Sequence, residues 1–366
     1  MWEFDSASSF LGREEKPFDE SALLSFTAGK RVLITGAAGF IGSALARTLS
    51  QYSLDHLLLL DIAESGLHEL GLGIDRNCAV EHEGIVGDVC DAMLLNGVFR
   101  RYRPHIVLHA AACKHVPLME KNPFAAAKTN VLGTKQVVHA AVAFKVDDLV
   151  LVSTDKAVHP ASIMGATKRI AELIVHANRS AVRMKAVRLG NVWGSTGSIV
   201  PLLQRQIAQG GPITITDAAC TRHFVSIAEA VQRVLFALLS RQSSAIFVSE
   251  AGPAYRIIDL ARFLLDRSGM DQREVEWRYI GLRPGEKLFE QMTADDEEVA
   301  TQCVHGLREV LHGSRVSPPL LAATVEEIGA AVHERDLSRL LQGILSVVPA
   351  YVPSAYLQEQ AAASAV

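Results

Sequence analysis

The sequence predicts an α/β protein built on a doubly wound parallel sheet, with a smaller mixed α/β domain beside it. Short apolar runs alternate with helical stretches along the first half of the chain, which is the order of a parallel sheet with right-handed crossovers. A turn with three glycines follows the first apolar run and opens the first helical stretch. The chain has 366 residues, 49% of them hydrophobic and 21% charged, which is enough for two globular domains of roughly 150 residues each.

Six short apolar runs are predicted to form the strands of this sheet. They cover residues Arg31–Thr35, 56–60, 85–88, Ile106–His109, 149–153 and 185–189. Runs of this length are typical of strands that are buried between helices. The stretch after the first run has Ile41, Leu45 and Leu49 at helical spacing, so it is predicted to be an amphipathic helix.

The alternation of strands and helices sets the expected domain boundaries. It begins near Arg31 and loosens after Asn191, where Gly, Pro and Thr become frequent. Helices are expected again over Ile227–Leu239 and Ile257–Ser268, and a late strand near 245–249 is expected to join the first sheet. The expected units are an N-terminal extension over 1–28, the doubly wound domain over 29–190, a mainly substrate-binding region over 191–353 and a flexible tail over 354–366.

The composition excludes several classes of protein. The net charge is −4 and the pI is about 6.4, so nothing draws the chain to nucleic acid or to anionic membranes. The five cysteines are odd in number and form no C-x-x-C pair, which favours reduced thiols over a disulfide framework or a zinc site. No stretch approaches the roughly 18 apolar residues of a membrane span, and the N-terminus does not resemble a signal peptide. We expect a cytoplasmic protein without a metal.

A glycine-rich turn joins the first strand to the first helix. Gly36, Gly39 and Gly42 permit a tight turn and let the backbone approach a pyrophosphate, while the following helix offers free N–H groups. Asp61 comes 19 residues after Gly42, at the end of the second strand, where a carboxylate would bind a ribose diol. An acid there favours NAD over NADP, and an ordinary acidic loop residue is the alternative. The turn predicts a Rossmann-type, dinucleotide-binding domain.

Charged residues follow the fifth strand directly. Thr154, Asp155 and Lys156 lie where the carboxyl ends of parallel strands face the ligand crevice, and an acid beside an amine there can act as an acid–base pair. Met164 and Lys168 are four residues apart and share one face of a predicted helix. Lys168 is expected to reach the nicotinamide ribose, although a lysine on a helix is more often simply solvated. These five residues, called the catalytic strip below, are the predicted catalytic residues.

Several long motifs occur in the order of a known family. They are VLITGAAGFIGSALA (32–46), HAAACKHVPLMEKNP (109–123), KTNVLGTKQV (128–137), LVSTDKAVHPASIMGATKRIAE (151–172), VRLGNVWGSTGSIVPLLQRQI (187–207), GGPITITDAACTRHF (210–224) and GLRPGEKLFE (281–290), with LGREEKPFD (11–19) ahead of them. In these motifs the chain resembles an extended short-chain dehydrogenase/reductase. Within that group it is similar to the polysaccharide-biosynthesis subfamily of UDP-N-acetylglucosamine 4,6-dehydratases, in its soluble short form.

The resemblance implies a role for each residue of the catalytic strip. Most short-chain dehydrogenases have tyrosine where this chain has Met164, and the dehydratase subfamily often has methionine there. Lys168 is implied to position the nicotinamide ribose, and Thr154 to bond near the C4 hydroxyl of the sugar. Asp155 is implied to protonate the departing C6 hydroxyl and Lys156 to remove the C5 proton. Lys156 must then be neutral, and we expect burial beside another cation to lower its pKa.

The implied reaction is an elimination with an internal redox step. C4 of the sugar is oxidised, water is eliminated across C5 and C6, and hydride returns to C6 to give a 4-keto-6-deoxy sugar for polysaccharide or glycan biosynthesis. The cofactor, NAD or alternatively NADP, ends as it began and is expected to stay tightly bound. A water held by Thr154 or Asp155 is one way to remove the C4 hydroxyl proton. Besides the glycines and Asp61, the expected cofactor contacts are Phe40, Ile41, Asp88, Val89, Ala110, Ala111, Ala112, Asn130 and Lys168.

The partner that the resemblance implies is a UDP-sugar. The expected substrate contacts are Lys114, His115, Asn191, Arg222, Arg283 and Glu286. The two arginines stand in motifs similar to diphosphate-binding segments, and arginine suits this role through its fixed fork of donors. For three of the expected ligand contacts an alternative stays open. His115 could make a hydrogen bond that only supports the fold, Glu286 could form a surface ion pair with Lys287, and Asp88 could form a turn.

Two other functions stay open from the sequence. A UDP-sugar 4-epimerase shares the fold, the cofactor and the oxidation at C4, although tyrosine at position 164 would favour it. A non-catalytic nucleotide-binding protein would explain the missing tyrosine, while Asp155, Lys156 and Lys168 argue against it. We also expect a homo-oligomer, in which the helices around 104–124 and 134–146 either supply the interface or serve the core.

Overall fold

The computed structural model describes residues 5–13, 20–76, 80–178, 180–250, 252–312 and 316–364. The helices are α1 (Asp5–Leu11), α2 (Ser21–Thr27), α3 (Phe40–Leu49), α4 (Glu64–Asp75), α5 (Ala92–Tyr102), α6 (Val116–Glu120), α7 (Pro123–Ala127), α8 (Thr134–Ala143), α9 (Ile163–Ala177), α10 (Ile199–Ala208), α11 (Ile227–Leu239), α12 (Ile257–Ser268), α13 (Pro318–Glu334), α14 (Leu337–Val347) and α15 (Ala355–Ser364). The strands are β1 (Arg31–Thr35), β2 (His56–Asp61), β3 (His82–Val86), β4 (Ile106–His109), β5 (Asp148–Thr154), β6 (Arg183–Leu189), β7 (Asn191–Val192), β8 (Ile213–Ile215), β9 (Thr221–Val225), β10 (Ser244–Ser249), β11 (Ala254–Arg256), β12 (Trp277–Tyr279), β13 (Glu298–Val299) and β14 (Leu307–His312).

Nine strands of the described residues form one sheet, in the order β13-β14-β10-β6-β5-β4-β1-β2-β3. The seven strands from β10 to β3 run parallel, whereas β14 pairs antiparallel with β10, and β13 with β14. The chain winds from β1 through β2 and β3 in one direction and then through β4, β5 and β6 in the other. A ligand crevice is therefore expected beyond the carboxyl ends of β1 and β4, where the order reverses. The predicted doubly wound parallel sheet is confirmed.

The central strands form where the sequence has uninterrupted apolar runs, because helices cover both faces of a parallel sheet. In β2, for example, residues 57–60 are completely buried. Strand β3 departs from the prediction, since it covers His82–Val86 rather than 85–88. It is the edge strand and only partly buried, so it needs no apolar run that would mark it in the sequence. Strand β10 pairs in parallel with β6 and so returns the chain to the large sheet.

Two smaller sheets lie outside the large one: β7, β9 and β11 form the first, and β8 and β12 the second. Their apolar side chains pack with those of α10 and α12 into one cluster, which includes Trp193, Phe224 and Leu264. Helix α11 begins directly after β9, and a capping box between Ser226 and Glu229 fixes its first turn. The domain boundary near residue 190 stays a prediction.

The two ends of the chain pack on other parts of the molecule. Helix α1 joins the apolar cluster of the smaller sheets through Ala7 and Leu11. At the other end, α13 and α14 pack against α7 and α9, in a cluster that includes Leu340. We expected a flexible tail over 354–366, but α15 forms there because Leu357 is buried in the same cluster.

The structure describes only part of the expected N-terminal extension. Residues 1–4 and 14–19, with most of the motif over 11–19, lie outside the described residues. The helical segment around Lys128–Gly133, which has π-helical hydrogen bonding, is covered by α13 of the same chain. This segment lies between the two stretches expected to supply an interface or to serve the core, 104–124 and 134–146. The choice between these two roles stays open, and the homo-oligomer stays a prediction.

Within the described ranges, no helix combines the length and the apolar character that crossing a membrane requires. In the same part of the chain, no three metal-binding side chains come together at one place.

Candidate active site

The glycine turn brings backbone very close to backbone. Gly36 has a φ of +69°, and a Cβ at this position would lie 2.5 Å from the backbone nitrogen of Ala111. A Cβ at Gly42 would lie 2.0 Å from the carbonyl oxygen of Gly36. Gly39 is the N-cap of α3, so the first N–H groups of that helix face the turn. Glycine at 36 and 42 therefore lets the turn pack tightly, and the N-terminus of α3 beside it is the feature that suits an anion such as a pyrophosphate.

Asp61 is anchored to this turn. It ends β2, and its carboxylate accepts hydrogen bonds from the backbone N–H groups of Ala38 and Ala63, both at 3.0 Å. The side chain is thus held beside the glycine turn, rather than in a loose acidic loop. Phe40 and Ile41 begin α3 and pack, partly buried, against the main core. This arrangement suits a carboxylate that binds the ribose of a dinucleotide.

Asp88 forms both a turn and an ion pair. Its carboxylate accepts a hydrogen bond from the N–H of Cys90 at 2.9 Å and pairs with Lys128 at 3.0 Å. Burial alone would raise the pKa of Asp88, but the Cys90 amide and the Lys128 ammonium lower it below its ordinary value. The turn-forming alternative therefore applies. Val89 is 3% exposed, and its side chain packs in the core against Gly133.

Asn130 braces the loop after β4 against α9. Its Oδ1 accepts a hydrogen bond from the N–H of Cys113 at 2.8 Å, and its Nδ2 donates to the Cys113 carbonyl and to Thr167, both at 3.0 Å. Both amide hydrogens are used in this way, so the side chain has none left to donate to a cofactor. Asn130 thus joins Cys113 to Thr167, and its expected contact with the cofactor stays a prediction.

The predicted acid–base pair forms at the end of β5. Lys156 Nζ donates hydrogen bonds to Asp155 Oδ1 at 2.9 Å and to Asn191 Oδ1 at 3.0 Å. Thr154 Oγ1 also donates to Asp155 Oδ1, at 2.9 Å. Asp155 is completely buried, and its second oxygen, Oδ2, has no hydrogen-bond partner among the described residues. Such an oxygen is costly to bury without a hydrogen-bond donor, so the hydrogen bonding of Asp155 is incomplete within the described residues.

The protonation of Lys156 differs from the expectation. Burial alone would lower the pKa of Lys156, but the carboxylates of Asp155 and Glu290 raise it above its ordinary value. The cation that acts to lower this pKa is Arg222, and not Lys168 or the nicotinamide ring as expected, and the two carboxylates outweigh it. The resting form of the pair is therefore an ion pair, with the proton on Lys156 Nζ.

Met164 and Lys168 are both buried on α9, 2% and 5% exposed. Lys168 Nζ donates a hydrogen bond to the carbonyl of Val152 at 2.7 Å, so the solvated-lysine alternative is wrong. Burial lowers the pKa of Lys168 to about 8, while Glu172 one turn along the helix opposes the shift. Helix α9 thus presents an apolar side chain at the usual tyrosine position and an amine that loses its proton readily.

The two segments expected to hold the diphosphate come together. Arg222 donates a hydrogen bond to the carbonyl of Lys287 at 2.8 Å, so β9 lies against the segment that follows Arg283. Arg283 itself pairs with Glu286 at 2.6 Å. The alternative of a surface pair between Glu286 and Lys287 is wrong, since Lys287 pairs at 2.9 Å with the buried Glu290.

Lys114 and His115 follow the loop after β4 and are exposed residues. The His115 ring lies against Gly197, where a Cβ would be 2.5 Å from its Cε1. Burial of the charged form lowers the pKa of both side chains, and the charge of Lys114 adds to this effect at His115. His115 therefore borders the loop over 194–198, and Lys114 precedes it in the chain.

Sequence reasoning missed a buried charge network behind the catalytic strip. Arg188 on β6 is completely buried and pairs with Glu172 of α9 at 2.9 Å and with Glu297. Glu172 also accepts a hydrogen bond from Ser153 at 2.7 Å. The network holds α9, β5, β6 and the segment before β13 together. In the sequence, the sign of this network is Arg188, a charged residue inside the apolar run over 185–189.

The chain matches the family described as "Polysaccharide biosynthesis protein" over residues 32–310. It is 41% identical over 302 residues to the probable polysaccharide biosynthesis protein EpsC of Bacillus subtilis, which covers 81% of this chain and 50% of EpsC. An inverting UDP-N-acetylglucosamine 4,6-dehydratase of Campylobacter jejuni is 34% identical over 280 residues, 75% of this chain and 80% of that protein. A UDP-glucose 4-epimerase of Rickettsia canadensis is also 34% identical, over 73% and 79% of the two chains.

The chain spans about half the length of EpsC and of the capsular polysaccharide biosynthesis protein CapD of Staphylococcus aureus. Among solved structures, Pen from Bacillus thuringiensis matches with a TM-score of 0.72 at 28% identity, over 80% of this chain and 91% of Pen. The dTDP-glucose 4,6-dehydratase DesIV of Streptomyces venezuelae, solved with NAD bound, matches at 0.65 and 25% identity, over 72% and 88%. The chain belongs to the polysaccharide biosynthesis protein family of extended short-chain dehydrogenase/reductase enzymes.

Proposed function

We propose that the chain is a nucleotide-sugar 4,6-dehydratase that acts on UDP-N-acetylglucosamine and gives a 4-keto-6-deoxy sugar. The observation that carries the proposal is the buried Asp155, hydrogen-bonded to Lys156 and with one oxygen unpartnered among the described residues. Elimination of water needs an acid for the leaving hydroxyl and a base for the neighbouring C–H, and such a pair supplies both. The 34% identity to a dehydratase of this specificity supports the choice of substrate.

NAD is the cofactor that we propose for the glycine turn, with NADP as the alternative. The free N–H groups at the start of α3 face the turn and suit a pyrophosphate, and Asp61 stands where a carboxylate favours a ribose diol over a 2′-phosphate. When bound, the nicotinamide supplies a reversible hydride acceptor. Lys168 would hold the nicotinamide ribose. Because the overall reaction is redox-neutral, we propose that the cofactor stays bound from one turnover to the next.

The Asp155–Lys156 pair carries one transferable proton through the elimination. Moving it along the 2.9 Å hydrogen bond from Nζ to the carboxylate gives a carboxylic acid and a neutral amine. The amine then takes the C5 proton while the acid protonates the C6 hydroxyl, which leaves as water. The C5–H and C6–O bonds break, a C5=C6 double bond forms, and the proton of the pair is again on Lys156. A high resting pKa of Lys156 is therefore compatible with its role as the base.

Arg222 is the residue that we propose for the diphosphate of the substrate. Three of its five N–H groups donate to the carbonyls of Thr221, Lys287 and Leu288. The remaining two N–H groups of Arg222 make no hydrogen bond to the described residues, so they are free to bind a phosphate oxygen. Arg283 would join it by exchanging its half-exposed pair with Glu286 for the more highly charged diphosphate.

A mass measurement tests the proposed function. The protein is incubated with UDP-N-acetylglucosamine, and the product is expected to be lighter by one water. The matched control is Lys156→Ala, which leaves the acid without its base partner and is expected to give no such product. If the wild-type chain releases no water from any UDP- or dTDP-hexose, the proposal is refuted.

A 4-epimerase is the second candidate, because the Rickettsia canadensis relative with that name is as similar as the dehydratase. An epimerase has no use for an acid at C6. The missing hydroxyl at Met164 does not separate the two reactions, because both oxidise C4. The same assay separates the two reactions, since an epimerase changes the configuration at C4 and leaves the mass unchanged.

A further inference from the structure

Residues 5–13, called the N-terminal strap here, precede the large sheet in sequence but pack on the smaller sheets. Ala7 and Leu11 are each 5% exposed there. Phe10 sits within a cage of aromatic rings. Its ring centroid lies 5.4 Å from that of Trp193, 6.5 Å from Phe224, 5.1 Å from Tyr255 and 5.1 Å from Phe263. The strap is therefore a packed part of the substrate side of the molecule.

An ion pair and several hydrogen bonds hold the strap in place. Arg13 binds both carboxylate oxygens of Glu229, at 3.1 and 3.0 Å, and its Nη2 also donates to the carbonyl of Phe224 at 2.9 Å. The hydroxyl of Tyr255 donates to the carbonyl of Leu11 at 2.6 Å. A Cβ at Gly252 would lie 2.2 Å from Arg13 Nη1, so the guanidinium fills the space that this glycine leaves.

The strap contacts β9, the strand that carries Arg222, which is the residue proposed to bind the diphosphate. Phe224 lies two residues after Arg222 on β9, and it pairs in register with Asn191 on β7. Asn191 in turn accepts the hydrogen bond from Lys156. Glu229 caps α11 at the point where β9 ends. Arg13 thus contacts both Phe224 on β9 and Glu229, which caps the helix that follows β9.

We propose that the N-terminal strap is a positioning element for the nucleotide diphosphate of the substrate. Docking of Phe10 and Arg13 holds β9 so that Arg222 faces the diphosphate. This inference rests on the proposed function, because it takes the diphosphate to bind at Arg222. Coupling between binding sites is reciprocal, so a strap that strengthens diphosphate binding is itself held more firmly when the diphosphate is bound.

The test uses the full chain and UDP as the probe. The UDP affinity of Arg13→Ala and Phe10→Leu is measured by calorimetry, and each variant is expected to bind UDP about tenfold more weakly than wild type. Arg339→Ala is the matched control, because Arg339 also binds carboxylates, those of Glu327 and Glu334, but in the C-terminal helices. It is expected to keep the wild-type affinity, and Arg13→Lys to recover part of the loss.

Hydrogen exchange of residues 5–13 provides a second readout, which a purely structural role would not change. Saturating UDP is expected to slow exchange in the wild-type strap. Unchanged UDP affinity in both strap variants, or unchanged exchange in the presence of bound UDP, overturns the proposal. A wild-type chain that binds UDP with these effects but releases no water supports the strap and refutes the dehydratase. A chain with no affinity for UDP overturns both.

Discussion

At the scale of single residues, the site depends on how buried charges are compensated. Lys156 and Lys168 are both lysines of one crevice, yet their pKa values move in opposite directions. Lys156 has two carboxylates beside it, whereas Lys168 bonds to a backbone carbonyl and has one carboxylate a turn away. The sequence shows both lysines and the neighbouring Asp155, but not the approach of Glu290. Glu290 reaches Lys156 from more than a hundred residues along the chain, and no spacing rule predicts this.

Asp155→Asn tests the acid. The amide has nearly the same size and can still bond to Lys156, but it cannot release a proton to a leaving hydroxyl. Turnover is expected to fall by about 10²- to 10⁴-fold, the usual range for a general acid. Calorimetry with UDP is expected to show wild-type affinity. A variant with full turnover would show that the proton for the leaving hydroxyl comes from another group.

The pKa of Lys168 predicts a pH dependence of stability. Its folded-state value of about 8 lies below the ordinary value of 10.5, so between these pH values the unfolded chain holds more protons than the folded one. The contribution of Lys168 to the free energy of unfolding therefore rises with pH across this window, by about 3 kcal/mol in total.

Urea unfolding of wild type and Lys168→Met, from pH about 7 to about 10, measures this contribution. The difference between the two chains is expected to shift in favour of wild type as the pH rises. A difference that stays constant with pH would show that Lys168 titrates normally in the folded chain.

At the scale of elements, the turn between β1 and α3 tolerates only glycine at two of its positions. Gly36→Ala combines a φ of +69° with a contact of 2.5 Å to backbone, and the strain costs on the order of 1–3 kcal/mol. The turn must then shift, so the affinity for NAD, followed by calorimetry, is expected to fall more than about tenfold.

Gly97→Ala is the matched control for this change. Gly97 lies in α5, and a Cβ there would have no neighbour within 4 Å. Alanine is the better helix former, so this variant is expected to be stabilised by roughly 0.5–1 kcal/mol with unchanged NAD affinity. Equal losses in the two variants would show that the glycine turn does not hold the cofactor.

The strands and helices also show which elements can be predicted from the local sequence pattern. The apolar runs place β1, β2, β4, β5 and β6 because each is buried on both faces, and α11 and α12 have the predicted bounds. The signal fails for β3 and β13, which are the two edge strands of the sheet, and for β14 beside β13. Nor does it show that the amide of Asn130 bonds to the loop after β4. Bonds between distant segments decide these positions, and a single sequence does not display them.

At the scale of the whole molecule, α1 and the helices α13 and α14 pack against the elements around the candidate site. The strap packs on the substrate side, and α13 and α14 pack on α9, the helix that carries Met164 and Lys168. Leu340→Ala in α14 removes a completely buried side chain and is expected to lower the free energy of unfolding by about 2–5 kcal/mol. Leu345→Ala in the same helix, at 36% exposed, is expected to cost less than about 1 kcal/mol. Equal small effects in chemical unfolding would mean that the C-terminal helices do not stabilise the site.

The central claim is that hydride leaves C4 of the sugar and returns to C6. The most direct measurement uses UDP-N-acetylglucosamine with deuterium at C4 and locates the label in the product by NMR. A dehydratase is expected to place the deuterium in the C6 methyl group of a product that has lost one water. Deuterium that is found again at C4, in a product of unchanged mass and inverted configuration, would contradict the claim and identify an epimerase.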